Sequence, residues 1–151
     1  MEAMRLIDAD ILSYALFRSH DAHPYCWTFL QDAIHGKISV AIATVSLLEA
    51  YHALVEDYRV EREEAFNKLD GLTRSRRIRF LPITVDVIRK ALEIAKLHRV
   101  RSFDANLIAS AEINGISIIV SNDQHIARLC KERSLVLENP IPEEVTKKMR
   151  L

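Results

Sequence analysis

Short apolar runs alternating with longer helical stretches constrain this chain more than any other feature. The clearest run is I-S-I-I-V at residues 116–120, with Gly115 before it and Ser121-Asn122-Asp123 after it. Others lie at residues 4–7, 38–43 and 78–83, and a weaker one at 135–137. Continuous apolar runs this short suit strands buried on both faces, as in a parallel sheet. The stretches between them read as helices. Pro24 suits the first turn of a helix that Gly36 can end. Residues 46–57 and 60–73 are helical in composition. Thr84 can cap a helix running to about His98, with Val85, Ile88, Leu92 and Ala95 on one face. Ser102 can cap the next helix, and Gly115 can follow its end. The alternation predicts an α/β fold: a central, mainly parallel sheet of about four to five strands flanked by helices.

The chain has 151 residues, the size of one domain spanning residues 1–151. Its 49% hydrophobic content excludes a disordered polymer, and three glycines with four prolines are too few for a turn-rich all-β sandwich. Lys plus Arg and Asp plus Glu are both 21, so any nucleic-acid site must be a local patch. Cys26 and Cys130 form neither a disulfide framework nor a zinc pair, which is the expectation for reduced thiols in the cytoplasm. Residues 38–48 are too short to span a bilayer, and the charged first segment is no signal peptide. The expectation is a soluble cytoplasmic protein with no membrane partner.

In parallel α/β sheets, ligands collect outside the carboxyl ends of the strands. Acids recur at those places. Asp8 ends the first run in L-I-D-A-D-I-L, and Glu49 lies one helical turn beyond the second in T-V-S-L-L-E-A. Asp123 follows the fourth run in V-S-N-D-Q-H, and Asp104 opens the helix before it in R-S-F-D-A-N-L-I-A-S-A. If the first, second and fourth strands are neighbours, these four acids converge on one edge. Carboxylates crowded together repel one another, and a divalent cation makes the crowd tolerable. Oxygen-only ligands favour Mg²⁺ or Mn²⁺, ions suited to phosphodiester chemistry.

Each acid alone also has an ordinary reading. Asp8 or Asp10 can cap a helix starting near Ile11, and Asp123 can cap the helix through Ile126 and Leu129. Ser46 and Glu49 match a capping box, and Asp104 can complement a helix dipole. The weight lies in the joint placement of the four.

In this order, L-I-D-A-D-I-L, S-L-L-E-A, F-D-A-N-L-I-A-S-A and V-S-N-D resemble the PIN-domain nucleases. The likeness is greatest to the small ribonucleases that serve as toxins of VapBC-type toxin–antitoxin pairs, and it runs from Met4 to about Leu137. It implies a three-layer PIN-like fold and a Mg²⁺- or Mn²⁺-dependent endoribonuclease. Asp8, Glu49, Asp104 and Asp123 take the family's catalytic, metal-holding places, and Ser121 its hydroxyl position, where contact with substrate is expected. It also implies products with a 5′-phosphate and a 3′-hydroxyl, a homodimer, and an antitoxin segment that blocks the acidic pocket. Two departures stand out. Ala9-Asp10 replaces the usual hydroxyl residue and Asn, and His125 stands where a further acid is common.

A neutral chain must still attract RNA. Arg74, Arg76, Arg77 and Arg79 form a basic stretch that reads either as phosphate contacts or as a charged strand edge. Arg101, near Asp104, is the favoured substrate contact. His20 and His23 read as surface or loop residues. The aromatics Tyr14, Phe17, Tyr25, Trp27, Phe29, Tyr51 and Tyr58 read mostly as core, with room for a partner's amphipathic helix. Two alternatives stay open: a haloacid-dehalogenase-like phosphatase with Asp8 as nucleophile and Asp10 as acid, and a non-catalytic α/β binding module.

Overall fold

The structure is a computed structural model that describes residues 3–150. Strand β1 (Arg5–Ile7) passes through Asp8 into helix α1 (Ala9–Leu16), and the Asp8 carboxylate caps that helix by accepting the Ala9 N–H. Helix α2 (His23–Ile34) carries Pro24 in its first turn, where no N–H is needed. Gly36 follows its end at φ +75°, a left-handed conformation that favours glycine, with the Arg77 side chain lying against it.

Strand β2 (Val40–Ala43) leads without a loop into helix α3 (Thr44–His52), which continues as a π-helical turn over Ala53–Asp57. Helix α4 (Arg62–Thr73) and strand β3 (Ile78–Leu81) follow. The Thr84 side chain accepts the Val87 N–H and caps helix α5 (Val85–His98), as expected. Helix α6 (Ser102–Ile113), strand β4 (Ile118–Val120), helix α7 (Gln124–Glu132), strand β5 (Val136–Glu138) and helix α8 (Glu143–Met149) complete the chain.

The strands form one sheet in the order β3-β2-β1-β4-β5, and every neighbouring pair is parallel. Leu6 sits beside Ala41 on one side and Ile119 on the other. The two-residue period of the strands divides the core between two faces. Leu6, Ala41 and Ile119 pack with α5, α6 and α7. Ile7, Ile42 and Val120 pack with α1, α2, α3 and α4 on the opposite face. The result is three layers, helix over sheet over helix. Both cysteines are buried and free. Among the described residues, no helix is long and apolar enough to cross a membrane.

Four local expectations need correction. Ser102 is the first helical residue rather than the cap of α6; Arg101 holds the cap position and makes no side-chain cap bond. The capping box of Ser46 and Glu49 does not form, because α3 begins at Thr44 directly after β2. Ser46 is thus buried inside the helix, and Glu49 is left without a capping role. The expected helix over residues 46–57 changes to π-helical pitch at Ala53. Of the α5 stripe read as its apolar face, Ala95 packs on the core, but the other three point outward, with Val85 67%, Ile88 41% and Leu92 64% exposed. The core takes Val87, Ala91 and Ile94 instead, so α5 is apolar around more than one side.

Candidate active site

Because β1 lies between β2 and β4 and all three run the same way, whatever follows their carboxyl ends meets at one edge. Asp8 follows β1 directly. Glu49 sits in the helix leaving β2, Asp123 caps the helix leaving β4, and Asp104 lies in the first turn of α6. The fold brings these four together as the sequence predicts. Asp8 feels the charges of Asp104 and Asp123, and Glu49 feels those of Asp8 and Asp104.

The hydrogen bonds show how each acid is aimed. Asp8 accepts the Ala9 N–H through Oδ1 at 2.7 Å and the Ser121 hydroxyl through Oδ2 at 2.7 Å. Ser121 is fully buried, and its oxygen also accepts the Asp123 N–H at 3.0 Å. The hydroxyl expected at the substrate therefore lies beneath the site and orients two of its acids. Asp123 accepts the His125 and Ile126 N–H groups through Oδ1 at 2.7 and 3.1 Å, leaving Oδ2 toward Arg101 at 3.7 Å. Arg101 donates from Nε to Asp104 Oδ2 at 3.1 Å. Capping and site-building are thus done by the same acids with different oxygens.

Burial and crowding set the electrostatics. The Asp8 carboxyl is pushed up to about 6, chiefly by burial and further by Asp123 and Asp104, although the bonds from Ser121 and Ala9 oppose this. Burial, then Asp8 and Asp104, push Glu49 up to about 7. Burial also raises Asp104, with Arg101 holding it back. A fifth acid, Asp10, is raised well above the usual range by burial and by Asp8. It accepts the Ile11 N–H at 2.7 Å and the Asn122 N–H at 2.9 Å, so it ties α1 to the loop after β4.

This donor set fits a hard divalent cation: it is all carboxylate oxygen, and its anionic forms are destabilised until positive charge arrives. Among the described residues, no three acidic, histidine or cysteine side chains are already drawn to metal-ligand spacing. The positive charge standing among the carboxylates is the Arg101 guanidinium, whose side chain is 69% exposed and can swing out. Glu49, Asp10, Tyr14, Arg101 and Phe103 line a recess of about 700 Å³. Asp10 and Tyr14 also line a second recess of about 630 Å³ with Asp123, His125 and Arg150.

Sequence reasoning missed Asn122. Its backbone N–H holds Asp10, its Oδ1 accepts from Asn139 at 2.8 Å and from Thr146 at 3.0 Å, and its carbonyl accepts from Arg150 at 3.1 Å. The only signal was its place in S-N-D, because its partners lie far away in sequence. The arginine stretch is not at the acids. Arg74, Arg76 and Arg77 line a separate groove of about 690 Å³ with Trp27 and Lys68, and Arg79 is exposed on the edge strand β3. His20 stacks on Tyr14 at 4.3 Å and His23 contacts the Tyr14 carbonyl at 3.1 Å, so both lie behind Tyr14 and neither lines the acid-lined recesses.

The family model described as the PIN domain matches residues 5–132. The chain is similar in structure to VapC20 of Mycobacterium tuberculosis, a sarcin–ricin-loop-cleaving toxin, with a TM-score of 0.71 and 17% identity over 82% of this chain and 93% of that one. It is also similar to a chain of VapBC2 from Rickettsia felis, solved with a DNA fragment from the promoter (TM-score 0.65, 18% identity, 90% and 98% covered). FitAcB from Neisseria gonorrhoeae is a further likeness (TM-score 0.64, 16% identity, 91% and 98% covered). No curated protein matches the sequence significantly. The phosphatase alternative is corrected by the family match and by Asp10, whose two oxygens are engaged by backbone N–H groups rather than free to act as an acid. With its strand order, its edge of carboxylates and a match across most of its length, the chain belongs to the PIN domain family.

Proposed function

We propose that this protein is a Mg²⁺- or Mn²⁺-dependent endoribonuclease, the toxin of a VapBC-type pair working in the cytoplasm. The observation that carries the reading is the convergence of Asp8, Glu49, Asp104 and Asp123 from four segments onto one edge of a PIN-domain sheet. Asp8, Asp104 and Asp123 would hold the ion, and Glu49 would assist. A divalent ion bound there supplies charge neutralisation and makes water a nucleophile toward phosphorus. Ser121 keeps Asp8 aimed. Glu49, raised to about 7, can take up a proton at its carboxylate near neutral pH. Arg101 is positioned to move from Asp104 to a phosphate oxygen as substrate arrives.

Two features of the surface support the proposed partners. The groove floored by Leu16, Trp27, Leu30 and Leu72 and rimmed by Arg18, Lys68 and Arg76 suits an amphipathic antitoxin helix with acidic flanks. The exposed stripe of Ile83, Val85, Ile88, Leu92 and Phe103 suits a homodimer, since isolated soluble proteins rarely leave such a patch bare.

The test is incubation of purified protein with single-stranded RNA and Mg²⁺ or Mn²⁺. Cleavage by wild type, at least 100-fold slower in Asp8→Asn and Asp104→Asn, is the expected result. Equal cleavage by both variants would remove the proposed site. A non-catalytic module would show neither cleavage nor an Asp8-dependent metal site.

A further inference from the structure

Helix α8 lies beyond the part of the chain that the family model matches, yet it is built into the acidic site. Thr146 Oγ1 donates to Asn122 Oδ1 at 3.0 Å, and Asn139 donates to the same oxygen at 2.8 Å. These bonds lock the helix to the loop that carries Asp123. Just past the helix, Arg150 Nη2 donates to the Asn122 carbonyl at 3.1 Å. The guanidinium is thereby pinned at the rim of the recess that also holds Asp10, Asp123 and His125.

No carboxylate among the described residues forms an ion pair with Arg150, in contrast to Arg101, which is bound to Asp104. One guanidinium hydrogen bond to a neutral carbonyl leaves most of the five donors directed elsewhere. Asp10 and Tyr14 line both this recess and the one containing Arg101, so the two recesses share a wall beside the acids. A strand crossing both recesses would meet Arg101 in one and Arg150 in the other.

Resting on the ribonuclease reading, we propose that Arg150 is a substrate-binding residue that clasps a backbone phosphate of single-stranded RNA beside the carboxylates. A planar fork with free donors matches phosphate oxygens and positions the strand without reading bases. Arg150 would thus fix which phosphate sits over the carboxylates, with the Asn122 clasp holding α8 in place.

The test measures binding of a labelled single-stranded RNA by anisotropy, with Ca²⁺ in place of Mg²⁺ to prevent turnover, across a range of salt. Wild type, Arg150→Gln and Arg150→Lys are compared, and steady-state cleavage is measured in Mn²⁺. Arg150→Gln should weaken binding about 5- to 20-fold and reduce the salt slope by about 0.7, the contribution of one phosphate contact to a single strand. Its KM should rise more than its kcat falls, and Arg150→Lys should recover most of the affinity. Unchanged affinity and slope in Arg150→Gln would overturn the proposal. So would faster cleavage, which would mean that Arg150 masks the site, or an equal loss in Arg150→Lys with a lowered melting temperature, which would mean a structural role. If wild type neither binds nor cleaves RNA, the ribonuclease reading itself fails, an outcome separate from the others.

Discussion

The Ser121 hydroxyl donates to Asp8 Oδ2 at 2.7 Å, joining the ends of two adjacent parallel strands, β4 and β1, across 113 residues of sequence. The same oxygen receives the Asp123 N–H at 3.0 Å, so one buried atom sets the position of two acids. Ser121→Ala leaves the half-buried Asp123 N–H without its partner and removes the bond that favours ionised Asp8. A loss of about 1–3 kcal/mol in urea unfolding is expected, with cleavage reduced roughly tenfold. Wild-type cleavage and stability in this variant would show that the bond is incidental.

Stability should fall as pH rises when divalent ions are absent. Burial, Asp123 and Asp104 raise Asp8 from 3.8 to about 6, and burial, Asp8 and Asp104 raise Glu49 from 4.5 to about 7. For a carboxyl raised by folding, the native state binds the proton more tightly than the unfolded chain. Its contribution is therefore complete below the unfolded value and lost as pH climbs through the folded one. Asp8 alone is worth on the order of 3 kcal/mol across its full titration. Glu112, lowered by Arg133, acts in the opposite sense and only at acid pH. In EDTA, the melting temperature should decline between about pH 5 and 8. Mn²⁺ should restore it, and Asp8→Asn should flatten the decline. A melting temperature that rises over this range in EDTA would contradict the crowding argument.

Asn122→Ala keeps the backbone bonds to Asp10 and Arg150 but strips the acceptor shared by Asn139 and Thr146. Thr146 is 6% exposed, so its hydroxyl would be stranded. A cost of about 1–3 kcal/mol is expected, with faster amide hydrogen exchange confined to α8. Exchange that stays slow there would mean that Val145 and Met149, packed on the core, hold the helix unaided.

The outward stripe of α5 carries the dimer prediction. Val85→Asp and Leu92→Asp place charge on residues 67% and 64% exposed, which lie outside the monomer's buried core. Sedimentation should show a dimer for wild type and a monomer for either variant, with stability changed by no more than about 0.5 kcal/mol per monomer. Dimers that persist in both variants would move the interface elsewhere.

Much of this architecture was legible because the period of the chain is a local property. Runs such as residues 116–120, fenced by Gly115 and Ser121-Asn122-Asp123, fix where strands can lie, and Thr84 marks a helix start by a bond within its own turn. Where a short motif met a stronger tertiary demand, it lost. Ser46 and Glu49 spell a capping box, but β2 is pulled so tightly into the sheet that α3 starts two residues earlier. The α5 stripe was read as core because hydropathy reports that a face is apolar without saying what covers it.

The sequence by itself determined the alternation of strands and helices, the caps at Thr84 and Asp123, a cap at Asp8 or Asp10, and the presence of an acid at the border of each key segment, since all of these depend on neighbours a few residues away. Only the tertiary structure decided that β1 lies between β2 and β4, and hence that four distant carboxylates share one edge. It alone brought Arg101 to Asp123, set the arginine stretch in another groove, and joined Asn122 to α8. Contacts across tens of residues are set by packing of the whole core, and no local pattern encodes them.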